Sequence, residues 1–340
     1  MGDAPLIVVA LGGNALQPPG EQGDIHEQFA HTRESLGALV ALAGAGWKIV
    51  IVHGNGPQIG DELLRNELAR TRRPPLPLGV LVAATAGWIG YMIQQSLQNA
   101  LAEHGVARPV VTLITQVVID PDDPSTREPV KPIGHVMDAA SARTLSAELG
   151  WTVGEVDGGW RRLVPSPLPS SIIERDQVRA LVDAGTIVIA AGGGGTPVRA
   201  QPERGLDGVD AVIDKDRAAQ VLAREIGADV LTILTNVDGV YTGFGTENAR
   251  LLRELTAEEA ERLLDSEELG LGSMRPKVEA AVGFVRDGGR RACIARLDRG
   301  LEAVEGKSGT MIVPSSEFRV PGSGSETRNP EPGTRNPEPT

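Results

Sequence analysis

The chain has 340 residues, with 45 acidic against 33 basic side chains and a formal net charge of −12. That length holds one large α/β domain or two smaller ones, and that charge argues against a general nucleic-acid or anionic-membrane surface. One cysteine excludes an intrachain disulfide, and no stretch approaches the ~18 apolar residues of a membrane span.

Short apolar runs at 6–11, 48–53, 110–115, 186–190, 230–235 and 291–295 read as buried strands, because parallel strands covered on both faces are apolar throughout. The first run is too short for a secretory leader and lacks a basic flank, so a cytoplasmic setting is expected. Helical patterns fill the intervals near 28–43, 59–70, 80–103, 173–184, 217–226 and 276–287. The alternation predicts an α/β fold, a three-layer αβα sandwich with a mainly parallel central sheet. Phosphate sites in such folds lie beyond the C-terminal strand ends.

Residues 117–169 break this rhythm with proline-rich ends, one amphipathic helix near 137–149 and a hairpin around Asp157-Gly158-Gly159. They read as an inserted lid subdomain within a domain spanning 1–314. Residues 315–340 repeat Thr-Arg-Asn-Pro-Glu-Pro and lack large apolar residues after Val320, so a disordered tail is expected.

Glycine turns follow several strands. Gly12-Gly13-Asn14 reads either as a tight turn or as a backbone cradle for an anion. Gly54-Asn55-Gly56 precedes Pro57, which suits a first helical turn whose amides favour an anion. His53 reads as structural or adjacent to a ligand rather than as a base. The run Gly192–Gly194 with Gly195 is costly in backbone entropy, and a surface wrapping an anion explains it better than a mobile linker. Here Gly193 and Gly194 are the candidate contacts.

Only five lysines stand against 28 arginines. Codon bias accounts for the ratio but not for where three lysines sit. Lys131 lies in Lys-Pro-Ile-Gly within the insertion. Lys215 lies among Asp210, Asp214 and Asp216. Lys277 follows Pro276 at a helix start. A compact ammonium suits a transferring phosphoryl group, and an arginine fork does not simply replace it. The aspartate cluster is read as a capped helix with a solvated salt bridge, or as a phosphate-binding Lys215 held by Asp210, or as a source of one Mg²⁺ ligand. Asp238-Gly239 marks a turn, and Tyr241 packs either a nucleotide base or the core. Cys293 lies in a strand pattern and reads as a small buried residue. Glycine turns, helix starts and three lysines are the equipment of phosphoryl transfer, which needs positioning and charge neutralisation more than covalent chemistry.

With these motifs in order, the sequence resembles the amino-acid kinase superfamily, and within it the carbamate kinases, from about residue 6 to 313. The Lys131-Pro132-Ile133-Gly134 element in an inserted lid is the most specific part of that resemblance. It implies the amino-acid kinase fold and reversible transfer between ATP and carbamate, giving ADP and carbamoyl phosphate. It also implies Mg²⁺ carried by the nucleotide, a homodimer, and frequent operation toward ATP in arginine or ureide catabolism. By the same resemblance Lys131, Lys215 and Lys277 act on the phosphoryl group, and Asp210 organises the lysines. Gly12, Gly13, Asn14, Gly54, Asn55 and Gly56 hold the carbamate and phosphoryl end. Asp238, Tyr241 and Met274 fall on the nucleotide side. Ala86 and Asn236 depart from the family's usual glutamine and aspartate. The alternatives are a kinase for another small carboxylate or a non-catalytic nucleotide-binding homologue.

Overall fold

A computed structural model describes residues 4–12, 16, 24–120, 122–156, 158–266, 269 and 274–315. Its centre is an eight-stranded sheet. From one edge the order is Glu254–Thr256, Thr310–Val313, Arg291–Arg296, Val230–Thr235, Leu6–Leu11, Lys48–His53, Ile187–Ile189 and Val110–Thr112. Only the pair Arg291–Arg296 and Thr310–Val313 runs antiparallel.

Alternation along each strand builds the three layers. Val8, Ala10, Val50 and Val52 face one apolar layer, which is closed by helices Arg175–Asp183, Lys215–Glu225, Ala257–Asp265 and Arg275–Arg286. Ile7, Val9, Ile49 and Ile51 face the other, closed by Gly37–Gly44, Leu78–Glu103 and Gly300–Val304. All six residues of Leu6–Leu11 are buried, as a strand covered on both faces requires.

Several elements differ from expectation. The helix anticipated at 28–43 is two helices, Ile25–Ser35 and Gly37–Gly44, broken at Leu36 before a glycine. The third strand stops at Thr112, because the chain then leaves the main sheet to form Gln116–Ile119, which pairs with Thr196–Gln201 in a second sheet. The strands Glu254–Thr256, at the sheet edge, and Thr310–Val313, next to it, escape a search for long apolar runs because they are short.

Within 117–169, the strands Lys131–Met137, Val153–Val156 and Gly159–Val164 form a separate antiparallel sheet with the last of these in the middle. Helix Ala139–Leu149 accompanies it, capped by Asp138. This unit rests on the core through a small apolar cluster. Ile133 and Val164 come from the insertion, and Ile59, Leu63, Leu78, Leu81, Val82 and Val212 come from the core. Gly134 and Gly60 meet backbone to backbone there. The proposed tail lies outside the described residues beyond Ser315.

Candidate active site

The strands Val230–Thr235, Leu6–Leu11, Lys48–His53 and Ile187–Ile189 are adjacent and parallel, so their C-terminal ends form one rim. The turns after the second and third of these do not offer all their amides to a ligand. Gly12 N–H donates to Leu234 O at 3.2 Å and Gly54 N–H to Leu11 O at 3.1 Å, continuing the ladder. Gly13 and Asn14 lie outside the described residues. The next donors belong to helix Gly56–Ala69, which has Pro57 in its first turn and no side-chain cap. Asn55 holds the N-cap position without a capping hydrogen bond, and its buried Nδ2 donates to Thr85 Oγ1 at 2.9 Å. An uncapped helix start at the rim favours an anion.

The four-glycine run is buried and tightly packed. A Cβ on Gly194 would stand 2.3 Å from Ile213 O, and one on Gly193 would stand 2.4 Å from Asn55 Nδ2; both residues have positive φ. This close approach lets the segment carrying Asp214 and Lys215 sit directly against the strand end.

The three sequence-singled lysines converge. Lys131 Nζ donates to Asp214 Oδ2 at 2.8 Å. Lys215 Nζ and Lys277 Nζ reach the two oxygens of Asp216, at 2.6 Å and 3.4 Å. Asp214 also caps helix Lys215–Glu225 through its other oxygen. Burial would raise its carboxyl pKa, but the charges of Lys131, Lys215 and Lys277 and the Lys131 hydrogen bond hold it well below the usual carboxylate range. Burial and then the Lys215 charge push the Lys277 ammonium below the ordinary lysine value, against Asp216 and Asp214. Among the described residues, three ammonium groups meet two carboxylates, in a place where an incoming phosphate brings negative charge. The other two lysines pair elsewhere, Lys48 with Asp183 and Lys307 with Glu305.

Asp210 is not among the carboxylates facing the lysines. It is exposed and accepts from Gly79 N–H at 3.2 Å, at the start of helix Leu78–Glu103. Val212 N–H donates to Pro165 O, so the chain crosses the base of the insertion before reaching Asp214. The positions nearest the lysines are therefore Asp214 and Asp216. Asp216, only 2% exposed, is the residue that sequence reasoning passed over. Its adjacency to Lys215 and its place in a first helical turn were the available clues.

His53 is fully buried, and its Nδ1 lies 3.0 Å from Gly54 O. Burial lowers its pKa to about 4, so it is a neutral wall residue at neutral pH. Cys293 is buried, its thiol pushed up to about 11 by burial, and its Sγ donates to Ala303 O.

On the other side of Val230–Thr235, Tyr241 OH donates to Asp238 Oδ2 at 3.3 Å. Tyr241 packs edge-on against the exposed ring of Phe244, and Arg296 approaches Asp238 at 3.6 Å. Sequence reasoning missed Phe244 and Arg296, which gain meaning only from the adjacent strand ends. Met274 stands at the start of helix Arg275–Arg286, which also has no side-chain cap and presents Lys277 in its first turn. Among the described residues, no group of three or more His, Cys, Asp or Glu side chains could hold a metal ion. Each oxygen of Asp214 and Asp216 already faces a lysine or a helix amide.

Comparison with known proteins identifies the family of the chain. Residues 5–296 match the amino acid kinase family. The carbamate kinase of Pyrococcus horikoshii is 45% identical over 311 residues, covering 91% of this chain and 99% of that protein. The carbamate kinase of Halobacterium salinarum is 46% identical over 312 residues, with the same coverage. The structure of carbamate kinase from Giardia lamblia bound to AMP-PNP superposes with a TM-score of 0.84 at 35% identity, covering 93% of this chain and 100% of that one. With the family matched over most of its length, the chain belongs to the amino acid kinase family.

Proposed function

We propose that this chain is a carbamate kinase, transferring a phosphoryl group reversibly between ATP and carbamate. The observation that carries the reading is the convergence of Lys131, Lys215 and Lys277 on Asp214 and Asp216 at the rim of the parallel sheet. In the ATP-forming direction a β-phosphate oxygen of ADP attacks the phosphorus of carbamoyl phosphate. The bond from phosphorus to the carbamoyl oxygen breaks, and carbamate leaves with that electron pair. The attacking oxygen is already ionised at neutral pH, so no general base is needed, consistent with the neutral, walled-in His53.

The protein's task is to neutralise charge on the in-flight phosphoryl group. Lys215 and Lys277, held by Asp216, lie on the core. Lys131 comes from the inserted unit at about 117–169, which serves as a lid on a catalytic domain of 1–314, with 315–340 outside it. The amides starting helix Gly56–Ala69, with Gly12, Gly13, Asn14, Gly54, Asn55 and Gly56, receive the carbamate and phosphoryl end. Gly193 and Gly194 shape the floor beneath them. Asp238, Tyr241 and Met274 border the nucleotide. Mg²⁺, carried by the nucleotide phosphates rather than by a group of carboxylates among the described residues, would neutralise part of their charge.

The enzyme works in the cytoplasm as a homodimer, in ATP-forming breakdown of arginine or ureides. Helix Leu78–Glu103 supports the dimer. Val80, Ala84, Tyr91, Gln95 and Gln98 form an exposed, uncharged stripe along it, and the exposed Ile114 lies beside Gly87. A coupled assay with ADP and a panel of acyl phosphates tests the activity. Carbamoyl phosphate is the preferred donor; preference for acetyl or glutamyl phosphate, or no ATP from any donor, would overturn the reading.

A further inference from the structure

The docked face of the inserted sheet carries one half-buried charge that the phosphoryl site does not use. Arg162 stands opposite Ile133 in the register, and Val164 stands opposite Lys131. Strand alternation therefore puts Lys131, Ile133, Arg162 and Val164 on one face. That face meets the core, because Ile133 and Val164 pack against Ile59, Leu63, Leu81 and Val212. Lys131 ends at Asp214. The Arg162 guanidinium lies 4.5 Å from the centre of the Trp151 ring, with its Nη1 buried and without a hydrogen-bond partner. The carboxylates of Glu67, on helix Gly56–Ala69, and Asp210 act on it through space, opposing the effect of its burial.

We infer that Arg162 is a positioning residue, which, stacked on Trp151 on the docked face of the inserted sheet, seats that sheet so that Lys131 reaches Asp214. Three features support this. Arg162 shares its sheet face with Lys131, so a tilt of the sheet at one moves the other. Asp210 lies four residues before Asp214, and between them Val212 N–H is bonded to Pro165 O, three residues after Arg162. The guanidinium is held against Trp151 by stacking, with Nη1 buried and making no hydrogen bond. Asp210 thereby gains a role distinct from contact with the lysines: it is the core's counter-charge to the insertion.

The kinetic part of this inference rests on the kinase reading; the docking part does not. The test therefore has two arms on the full chain, using Arg162→Ala, Arg162→Lys, Asp210→Asn and the Arg162→Ala/Asp210→Asn pair. In the first arm, amide exchange is followed at Val212, whose N–H reports the seated insertion. Arg162→Ala and Asp210→Asn each speed it about tenfold or more, while Arg143→Ala, an exposed change on the inserted helix, leaves it unchanged. In the second arm, Arg162→Ala lowers kcat about tenfold or more with KM for ADP within about twofold, and Arg162→Lys recovers part of the loss. The double variant is no worse than the more impaired single one, as expected for two residues acting through one contact. Unchanged Val212 exchange in both single variants would overturn the inference even if the protein proved inactive on carbamoyl phosphate. Faster exchange with normal kcat would overturn the positioning role, and faster exchange in the variants with no ATP formation in the wild type would count against the kinase reading alone.

Discussion

Gly60 and Gly134 touch so closely that a Cβ on Gly60 would lie 2.0 Å from the Gly134 Cα. Neither backbone can yield cheaply, since Gly60 is inside helix Gly56–Ala69 and Gly134 has a φ of 73°. Gly60→Ala therefore forces the insertion off the core. It is expected to lower kcat strongly and to cost about 1–3 kcal/mol of stability. Thermal unfolding and steady-state rates check this; a wild-type rate would show that this contact is dispensable.

Asp216 holds two lysines from inside the site. Asp216→Ala leaves two nearly buried ammonium groups without their shared carboxylate. The expected cost is about 3–5 kcal/mol, with near-complete loss of turnover. Denaturant unfolding measures the first and the coupled assay the second. Asp210→Asn leaves this cluster intact and is expected to be the milder change in stability.

His53 gives a pH signature of stability. The unfolded chain protonates this residue near 6.5, whereas burial lowers the folded value to about 4. Between those values the unfolded state binds more protons, so stability rises with pH across the window and this contribution is flat above it. Falling from pH 6.5 to 4 costs up to about 3 kcal/mol from this residue. His53→Gln should flatten that part of the stability–pH curve; an unchanged curve would show that His53 is not the cause.

The central architecture was readable because parallel strands buried on both faces have no polar residues to hide, as in Leu6–Leu11. The strands Glu254–Thr256 and Thr310–Val313 were not readable, because they are as short as many loops. Helix Ala257–Asp265 was missed although Thr256 and Glu259 form a capping box, a cue visible in sequence. Lys131, Lys215 and Lys277 were found because each stands where an ordinary solvent-facing lysine has no reason to be. Their carboxylate partners were misjudged. Asp210, Asp214 and Asp216 alternate along one segment, and only the turn into helix Lys215–Glu225 decides which of them point inward. Arg162 could not be singled out among 28 arginines until the register set it opposite Ile133.

The most direct test of the lysine cluster compares wild type with Lys131→Ala, measuring ATP formation from ADP and carbamoyl phosphate together with ADP affinity by calorimetry. Lys131 meets Asp214 from the insertion, while Tyr241 pairs with Asp238. The expected result is a kcat lower by about 100-fold or more with ADP affinity within about twofold of wild type. Normal turnover with a large loss of ADP affinity would contradict the account.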